Sequence, residues 1–157
     1  MHIETERKFL VRGTGYKAAA TRHIRMEQGY LARGGGNTVR VRIAEDKAFL
    51  TIKGPSPDGI SRFEWEKEIP VRDAEELLRL CPDIPVRKTR WLIPAGDGHL
   101  FEVDEFLAEN EGLTVAEIEL AGPDEKFPKP EWLGEEVTGD RRYYNAQLAV
   151  KPYKDWK

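Results

Sequence analysis

Acidic and basic side chains alternate with other residues at the start of this chain. Glu4, Glu6 and Lys8 occupy every second position. A β-strand sends alternate side chains to opposite faces, so two carboxylates and an ammonium group share one face of one strand. Such a face predicts a function, because carboxylates bind metal ions and ammonium groups bind anions.

Eight segments, separated by turn-rich stretches such as 33–37 and 54–59, predict β-strands. They cover residues 2–12, 25–33, 38–45, 48–54, 61–70, 86–93, 99–107 and 114–121. Helical patterns are fewer. They lie within 15–23, at 74–80 with Asp73 as the N-cap, near 130–134, and at 141–150 with Asp140 as the cap.

Seven of these strands carry charges on one face and apolar or aromatic residues on the other. The charged faces together hold eight acids and seven bases. The acids are Glu4, Glu6, Glu64, Glu66, Glu102, Asp104, Glu117 and Glu119. The bases are Lys8, Arg40, Arg42, Lys53, Arg62, Lys88 and Arg90.

An antiparallel sheet with one dry and one solvated face would also produce this alternation. Two details favour a closed barrel with the charges inside. The charged faces hold almost no Ser, Thr, Asn or Gln, and the signs segregate, since some strands are mainly acidic and others purely basic. We therefore predict an α+β, mainly β fold: an eight-stranded antiparallel closed barrel, or tunnel, with a charged lumen and a few flanking helices.

The bulk composition limits the protein's setting. With 157 residues, 34% charged and a formal net charge of −3, the chain predicts one soluble domain at 1–150 and a C-terminal tail at 151–157. The acidic balance argues against a nucleic-acid groove, and no segment is apolar enough to cross a membrane. The charged N-terminus predicts no signal peptide, and Cys81 is the single cysteine, so we expect a cytoplasmic protein.

The predicted lumen indicates its ligands. Crowded carboxylates cannot all ionise without a cation, and hard oxygen ligands suit Mg²⁺ or Mn²⁺. The basic residues suit a polyphosphate. The substrate is thus predicted to be a small anion; the sequence leaves a homodimer open.

These motifs also resemble a known family. Glu4-x-Glu6-x-Lys8 resembles the ExExK signature of the CYTH superfamily, the triphosphate tunnel metalloenzymes. Further segments resemble the short bacterial members in family order: 28–31, 39–42, 50–53, 61–66, 88–90, 101–104, 116–119, 134–138 and 140–145. The resemblance implies a tunnel that binds a triphosphate and a divalent metal ion.

The resemblance also implies roles for individual residues. Glu4, Glu6 and Glu119 would hold the metal ion that grips the triphosphate. Asp104, Glu117 and Glu64 would hold a second metal ion or its water, and these three and Lys88 would be the catalytic groups. The bases that would bind phosphate oxygens are Lys8, Arg40, Arg42, Lys53, Arg62, Lys88 and Arg90.

The remaining charged and aromatic candidates have weaker assignments. Arg142 would reach one tunnel end, with Arg141 a weaker candidate. Glu66 and Glu102 would pair with arginines instead of binding metal. Tyr30 is either a substrate contact or a packing residue.

Several activities occur among proteins of this kind. We favour hydrolysis of inorganic tripolyphosphate with release of orthophosphate, because it needs no pocket for a base or thiazole ring. The alternatives are a class IV-type adenylate cyclase, a thiamine or nucleoside triphosphatase, and a non-catalytic polyphosphate sensor. The cyclase-like members carry a His-Phe before ExExK, whereas here only His2 precedes the motif directly.

Overall fold

The computed structural model describes residues 3–156; His2 and the ends of the predicted first strand and tail lie outside this range. The strands are β1 Ile3–Val11, β2 Arg22–Gly34, β3 Asn37–Ala44, β4 Lys47–Lys53, β5 Ser61–Ile69, β6 Val86–Pro94, β7 Leu100–Phe106, β8 Thr114–Glu119 and β9 Leu133–Glu136. The α-helices are α1 Tyr16–Ala19, α2 Val71–Leu80 and α3 Asn145–Val150. Short 3₁₀ helices occupy Ala108–Asn110, Arg141–Tyr143 and Tyr153–Asp155.

Eight antiparallel strands form a closed barrel, which confirms the predicted fold class. The hydrogen-bonded order is β5-β4-β3-β2-β6-β7-β8-β1, and β1 closes the ring by pairing with β5. At this seam Ile3, Glu4 and Thr5 oppose Phe63, Arg62 and Ser61. Closure leaves the charged faces inside and gives the eight strands two neighbours each.

The ninth strand was not predicted. Residues 130–134 were expected to be helical, but β9 begins at Leu133 and pairs with the second half of β1. Because β5 pairs only with the first three residues of β1, the rest of that edge would expose unpaired backbone groups. The new strand satisfies them by aligning Glu136 with Phe9 and Leu133 with Val11.

Helix α1 lies within the predicted stretch 15–23, whereas the start predicted for the next helix was wrong. Helix α1 ends at Ala19, because the chain extends into β2 at Arg22. Helix α2 begins at Val71 with Pro70 as the N-cap, not at residue 74 with Asp73 as the cap. The Pro70 carbonyl accepts the Ala74 amide at 3.1 Å. A proline loses nothing at a helix start, where its missing N–H would have had no partner.

The apolar outer faces of the strands are covered by the added segments. One cluster places Phe9, Phe101 and Ile118 beneath Tyr16 of α1 and Trp132. A second packs Val41 and Ala48 against α2. The packing of α2 is close, since a Cβ built on Gly29 of β2 would lie 2.7 Å from the Cys81 sulfur. On these sides the outer faces of the strands are apolar and covered, whereas the lumen is charged. Most small barrels have the opposite distribution, with side chains filling an apolar interior.

One end of the lumen is apolar. At the next inward position of five strands, on the side of the charged layer that faces α3, the side chains are apolar or aromatic. They are Leu10, Tyr30, Val86, Phe106 and Val115. Side chains of α3 and the preceding 3₁₀ helix, among them Tyr143 and Leu148, fill this end. The C-terminal helix therefore plugs part of the barrel and brings its first residue to the charged layer.

The chain after α3 is not a loose tail where it is described. Pro152 is buried, and the Tyr153 amide donates to Asn110 Oδ1 at 2.8 Å. Trp156 makes edge contacts with the rings of Tyr143 and Tyr153. These contacts tie residues 152–156 to the apolar plug. No helix within residues 3–156 has the length and apolar character to cross a membrane.

A histidine links two loops outside the barrel and generates a prediction. His99 Nδ1 lies 2.8 Å from Asp97 Oδ2, and its Nε2 lies 3.1 Å from Glu125 Oε1. Glu125 also accepts the Ala121 amide. Hydrogen bonds to Asp97 and Glu125 raise the pKa of His99 above its ordinary value of 6.5. The stabilisation by charged His99 is complete below that value and is lost as pH rises through the raised pKa.

We therefore predict a pH-dependent effect of His99→Gln. Replacement should lower the melting temperature more at about pH 5.5 than at about pH 8.5, because only the charged imidazole attracts both carboxylates. Asp97 and Glu125 have lowered pKa values, so both stay ionised across this range. Thermal unfolding of both proteins at the two pH values measures the difference. An equal decrease at both would contradict the charged contact.

Candidate active site

The charged lumen forms a cavity of about 1210 Å³ that is open at the mouth formed by the β2–β3 and β4–β5 loops. Almost all of the predicted site residues line it, with two exceptions, Asp104 and Arg142, that are treated below. The lining residues that were predicted are Glu4, Glu6, Lys8, Tyr30, Arg40, Arg42, Lys53, Arg62, Glu64, Lys88, Arg90, Glu117 and Glu119.

The first-strand motif meets charges from both sides of the barrel. Lys8 Nζ donates to Glu117 Oε1 on β8 at 2.8 Å, and Lys53 Nζ on β4 donates to Glu4 Oε1 at 2.9 Å. Burial alone would lower the pKa of Lys8, but the adjacent Glu117 and Glu6 carboxylates raise it. Glu4 and Lys8 are thus already paired, whereas the contact of Glu6 with Lys8 is longer, at 3.8 Å.

Two carboxylates of the predicted metal cradle oppose each other directly. Glu6 on β1 is aligned with Glu119 on β8, on the same lumen face. Burial and the charges of Glu117 and Glu4 raise the pKa of Glu6 to about 8. Burial, Glu4 and Glu102 also raise the pKa of Glu119. Neighbouring carboxylates with raised pKa values repel each other when both are ionised. A divalent cation would relieve this repulsion, so the pair is suited to binding one.

The cradle is not preassembled. Within residues 3–156, no three His, Cys, Asp or Glu side chains are grouped closely enough to hold a metal ion. Glu4 points at Lys53 instead, and Glu64 lies 3.5 Å from the same ammonium group. Burial and the Glu4 charge raise the pKa of Glu64. The donor chemistry fits a metal ion, but these side chains would have to rearrange to bind it.

Asp104 differs from the metal ligand that the family resemblance implied. It is 1% exposed and does not line the cavity. Arg90 donates to its two oxygens at 2.8 and 3.0 Å, and Lys88 Nζ donates at 2.8 Å. Burial alone would raise its pKa, but the two cations lower it to about 2. Both of its oxygens are already occupied, so its structural role is to anchor two cations.

Glu66 and Glu102 confirm the predicted pairing with arginines. Glu66 Oε1 lies 3.5 Å from Arg40 Nη2, and Glu102 Oε2 lies 3.4 Å from Arg90 Nη1. Buried Thr51 completes the first pair by accepting from Arg40 at 3.1 Å and donating to Glu66 at 2.7 Å. The Arg40 Nε atom is buried without a hydrogen-bond partner among the described residues. An unused buried donor at the lumen suits an anion.

Arg42 has no carboxylate within ion-pair distance among residues 3–156. Its Nε instead donates to the amide oxygen of Gln28 at 2.8 Å. Burial, Arg40 and Arg90 lower its pKa to about 9, which still leaves it charged at neutral pH. A half-buried guanidinium whose hydrogen-bond partner is neutral has an incompletely compensated charge, and an anionic ligand would compensate it.

Lys88 lies at the boundary between the charged layer and the apolar plug. It is fully buried, and besides Asp104 its Nζ contacts Asn145 Oδ1 at 2.9 Å. Burial and the neighbouring Arg90 and Arg42 lower its pKa. The first residue of α3 therefore contacts a predicted catalytic group.

Arg62 and Tyr30 lie nearer the mouth and the plug, respectively. Arg62 donates to the Gly54 and Gly36 carbonyls at 2.8 and 3.3 Å, and so joins the two mouth loops. Tyr30 is buried against the plug, yet its hydroxyl accepts a hydrogen bond from Gln28 and reaches the lumen. It combines the packing and lumen positions that the sequence left as alternatives.

Arg142 is not placed at the tunnel end in this structure. Its side chain is 65% exposed, it pairs with Asp140 at 2.7 Å, and it lies over the Trp156 ring. Asp140 caps only the short 3₁₀ helix, because α3 does not begin until Asn145. Since Arg141 and Arg142 project differently from one tight turn, it is Arg141 that lines the cavity.

Sequence reasoning missed three neutral residues that hydrogen-bond to cations of the lumen, namely Gln28, Thr51 and Asn145. For the first two a signal was available, because Gln28 shares its strand face with Tyr30, and Thr51 shares its face with Lys53. Asn145 carried no comparable signal, since its contact with Lys88 depends on how α3 enters the barrel.

Comparisons with known proteins agree with this fold and identify relatives of the chain. The CYTH domain model matches residues 2–145. An inorganic triphosphatase from Acetivibrio thermocellus is 48% identical over 158 residues, covering 100% of this chain and 99% of the relative. An inorganic triphosphatase from Nitrosomonas europaea is 37% identical, covering 94% and 97%. The crystal structure of the inorganic triphosphatase NE1496 superposes with a TM-score of 0.68 at 34% identity, covering 94% and 97%.

A closed antiparallel tunnel with acids and bases inside defines the class, and the matches identify the family. The chain belongs to the CYTH family, as the ExExK resemblance implied.

The anchoring role of Asp104 predicts the effect of Asp104→Asn on stability. Neutralising it would leave Lys88 and Arg90 without their shared buried counter-ion, a defect that costs about 3–5 kcal/mol. Urea unfolding in chelator-containing buffer measures this free energy without any metal contribution. The matched control is Glu102→Gln, a partly exposed partner of Arg90 whose loss should cost about 0–1 kcal/mol. Equal small losses in both variants would refute the anchoring role.

Proposed function

We propose that this protein hydrolyses a triphosphate, with inorganic tripolyphosphate as its substrate, and releases orthophosphate. Two features of the tunnel carry the proposal: Arg42 has no carboxylate within ion-pair distance, and the buried Arg40 Nε donor has no partner, both within the described range. The names of the two inorganic triphosphatase relatives support the same reaction. A small inorganic anion also fits a lumen whose lining is mainly charged.

We further propose that the enzyme uses Mg²⁺ or Mn²⁺. Glu4, Glu6 and Glu119 would hold it, with Glu117 and Glu64 available for a second ion or its water. When bound, a divalent ion supplies charge neutralisation at the phosphates and lowers the pKa of a coordinated water. Asp104 is left out of this ligand set, because it acts through Lys88 and Arg90.

The chain's own residues perform the remaining steps of the proposed reaction. Lys8, Lys53 and the arginines bind the phosphate oxygens and orient the triphosphate for in-line attack. They also stabilise charge on the equatorial oxygens. Glu64 suits proton uptake from the attacking water, because burial raises its pKa towards neutrality. The water oxygen bonds to the terminal phosphorus, the bridging P–O bond breaks, and orthophosphate and pyrophosphate result. Lys88 and Tyr30 lie at the inner end, where they would contact the phosphate chain.

The cellular setting follows from the same properties. We propose a single functional domain at residues 1–150, a cytoplasmic location and a small-molecule substrate without nucleic acid. The enclosed lumen supports the last point, because its charges are inaccessible to a long duplex.

A substrate panel tests the activity. Purified protein with Mg²⁺ or Mn²⁺ should release orthophosphate from tripolyphosphate faster than from ATP or thiamine triphosphate. Phosphate, pyrophosphate and cyclic AMP are measured in each reaction. Cyclic AMP with pyrophosphate from ATP would instead identify a cyclase, faster thiamine triphosphate hydrolysis would identify that substrate, and binding without turnover would identify a sensor.

Glu4→Gln tests the metal assignment. The substitution removes a proposed ligand but preserves the side-chain shape, and Lys53 retains its contact with Glu64. We expect metal-dependent turnover to fall by at least about 10²-fold, since even outer-shell changes cost 10–100-fold at metal sites. Activity is titrated against Mg²⁺ and Mn²⁺. Glu136→Gln is the matched control, because Glu136 pairs with Arg7 on the barrel exterior. Full activity of Glu4→Gln at low metal concentration would remove the assignment.

A further inference from the structure

One neutral side chain joins groups from three elements in the inner lumen. Gln28 on β2 is fully buried, and both ends of its amide are used. Its Oε1 accepts from Arg42 Nε on β3 at 2.8 Å. Its Nε2 lies 3.2 Å from the Tyr30 hydroxyl and 3.3 Å from Asn145 Oδ1 on α3. Through Asn145 the chain of contacts continues to Lys88.

The chemistry of the partners fixes the direction of every bond in this chain. A guanidinium only donates, so the Gln28 atom that faces Arg42 must be the oxygen. The amide nitrogen then faces Tyr30 and Asn145. An ammonium also only donates, so the Asn145 atom beside Lys88 must be oxygen as well. The Tyr30 oxygen accepts from Gln28, which leaves its own proton free to be donated into the lumen.

The neutrality of this pair has a consequence for anion binding. Arg62, which also has no carboxylate within ion-pair distance among residues 3–156, is held by backbone carbonyls near the mouth. At the inner end, a carboxylate in the place of Gln28 would also orient Arg42, but it would cancel the charge that a phosphate needs. An amide fixes the guanidinium by a hydrogen bond and leaves its full charge available. Asn145 orients Lys88 by the same kind of bond, although the charge of Lys88 is already compensated by Asp104, which it shares with Arg90.

We propose that Gln28 and Asn145 form a neutral positioning pair that holds Arg42, Tyr30 and Lys88 in the arrangement required for turnover. This inference rests on the proposed triphosphatase function. Neither amide needs to touch the reacting atoms. Misplacement of positioned groups by about 1 Å can cost 10²-fold in rate, which makes such a pair consequential.

Steady-state kinetics of Gln28→Leu test the proposal. The substitution preserves most of the buried volume but removes every hydrogen bond of the amide. We expect kcat for tripolyphosphate to fall about 10²-fold while KM changes less than about threefold, the pattern of lost transition-state alignment. Glu27→Leu is the matched control, because Glu27 is the neighbour of Gln28 on β2 and pairs with Arg87 outside the lumen. A kcat of Gln28→Leu within about twofold of wild type would overturn the proposal.

A second variant covers the case in which Gln28→Leu does not fold. Gln28→Glu preserves the shape and the acceptor for Arg42, but it cannot donate to Tyr30 or Asn145 when ionised, and it compensates the guanidinium charge. Its kcat should fall and its KM should rise, because phosphate would compete with the new carboxylate for Arg42. Kinetic constants that both match the wild type would overturn the requirement for a neutral donor.

A spectroscopic readout separates positioning from general destabilisation. The Arg42 Nε–H of the wild type should give a slowly exchanging NMR signal, and Gln28→Leu should exchange it faster while distant backbone amides remain protected. An unchanged Arg42 signal would contradict the contact. The two failures are distinguishable: wild-type protein inactive on tripolyphosphate refutes the proposed function, whereas active wild type with an equally active Gln28→Leu refutes only the positioning pair.

Discussion

Compensation of charge inside a closed barrel is the constraint on which the rest of this structure depends. Removing a charge from water costs several kcal/mol unless a partner or a ligand compensates it. Closure of β1 onto β5 encloses the charged faces of seven strands together. Because the acidic and basic side chains lie mainly on different strands, closure lets the acids on β1 and β8 form ion pairs with bases from other strands. Lys8 with Glu117 and Lys53 with Glu4 are the resulting pairs.

The charges inside the lumen are not equally compensated along its length. Asp104 is saturated by Lys88 and Arg90, so this part of the wall is fixed in the absence of ligand. Arg42 is oriented by Gln28 without losing its charge, and Glu6 faces Glu119 while its contact with Lys8 is as long as 3.8 Å. The saturated Asp104 makes its part of the wall rigid. Arg42 marks where a bound anion would lower the energy, and the Glu6–Glu119 pair marks where a metal ion would. Binding and folding thus depend on different members of one charge network.

The lumen was predictable because strand periodicity is local and independent of partners. The same rule assigned the eight barrel strands and the charged side chains that these strands contribute to the cavity. It failed where the outcome depends on tertiary placement. Strand β9 exists because β5 leaves part of the β1 edge unpaired, a consequence of barrel shear that residues 133–136 do not encode. The saturation of Asp104 and the contact of Asn145 with Lys88 likewise depend on which strand or helix lies opposite.

The first strand contacts charges from several strands because it lies at the barrel seam. Its early residues pair with β5 and its middle with β8, so adjacent lumen positions face different walls. Glu4 meets the basic side through Lys53, Glu6 faces Glu119, and Lys8 compensates Glu117. The three charges are therefore not equivalent copies along one face. A strand placed elsewhere in the ring would contact only two fixed neighbours along its length, so the ExExK spacing is most effective at the seam.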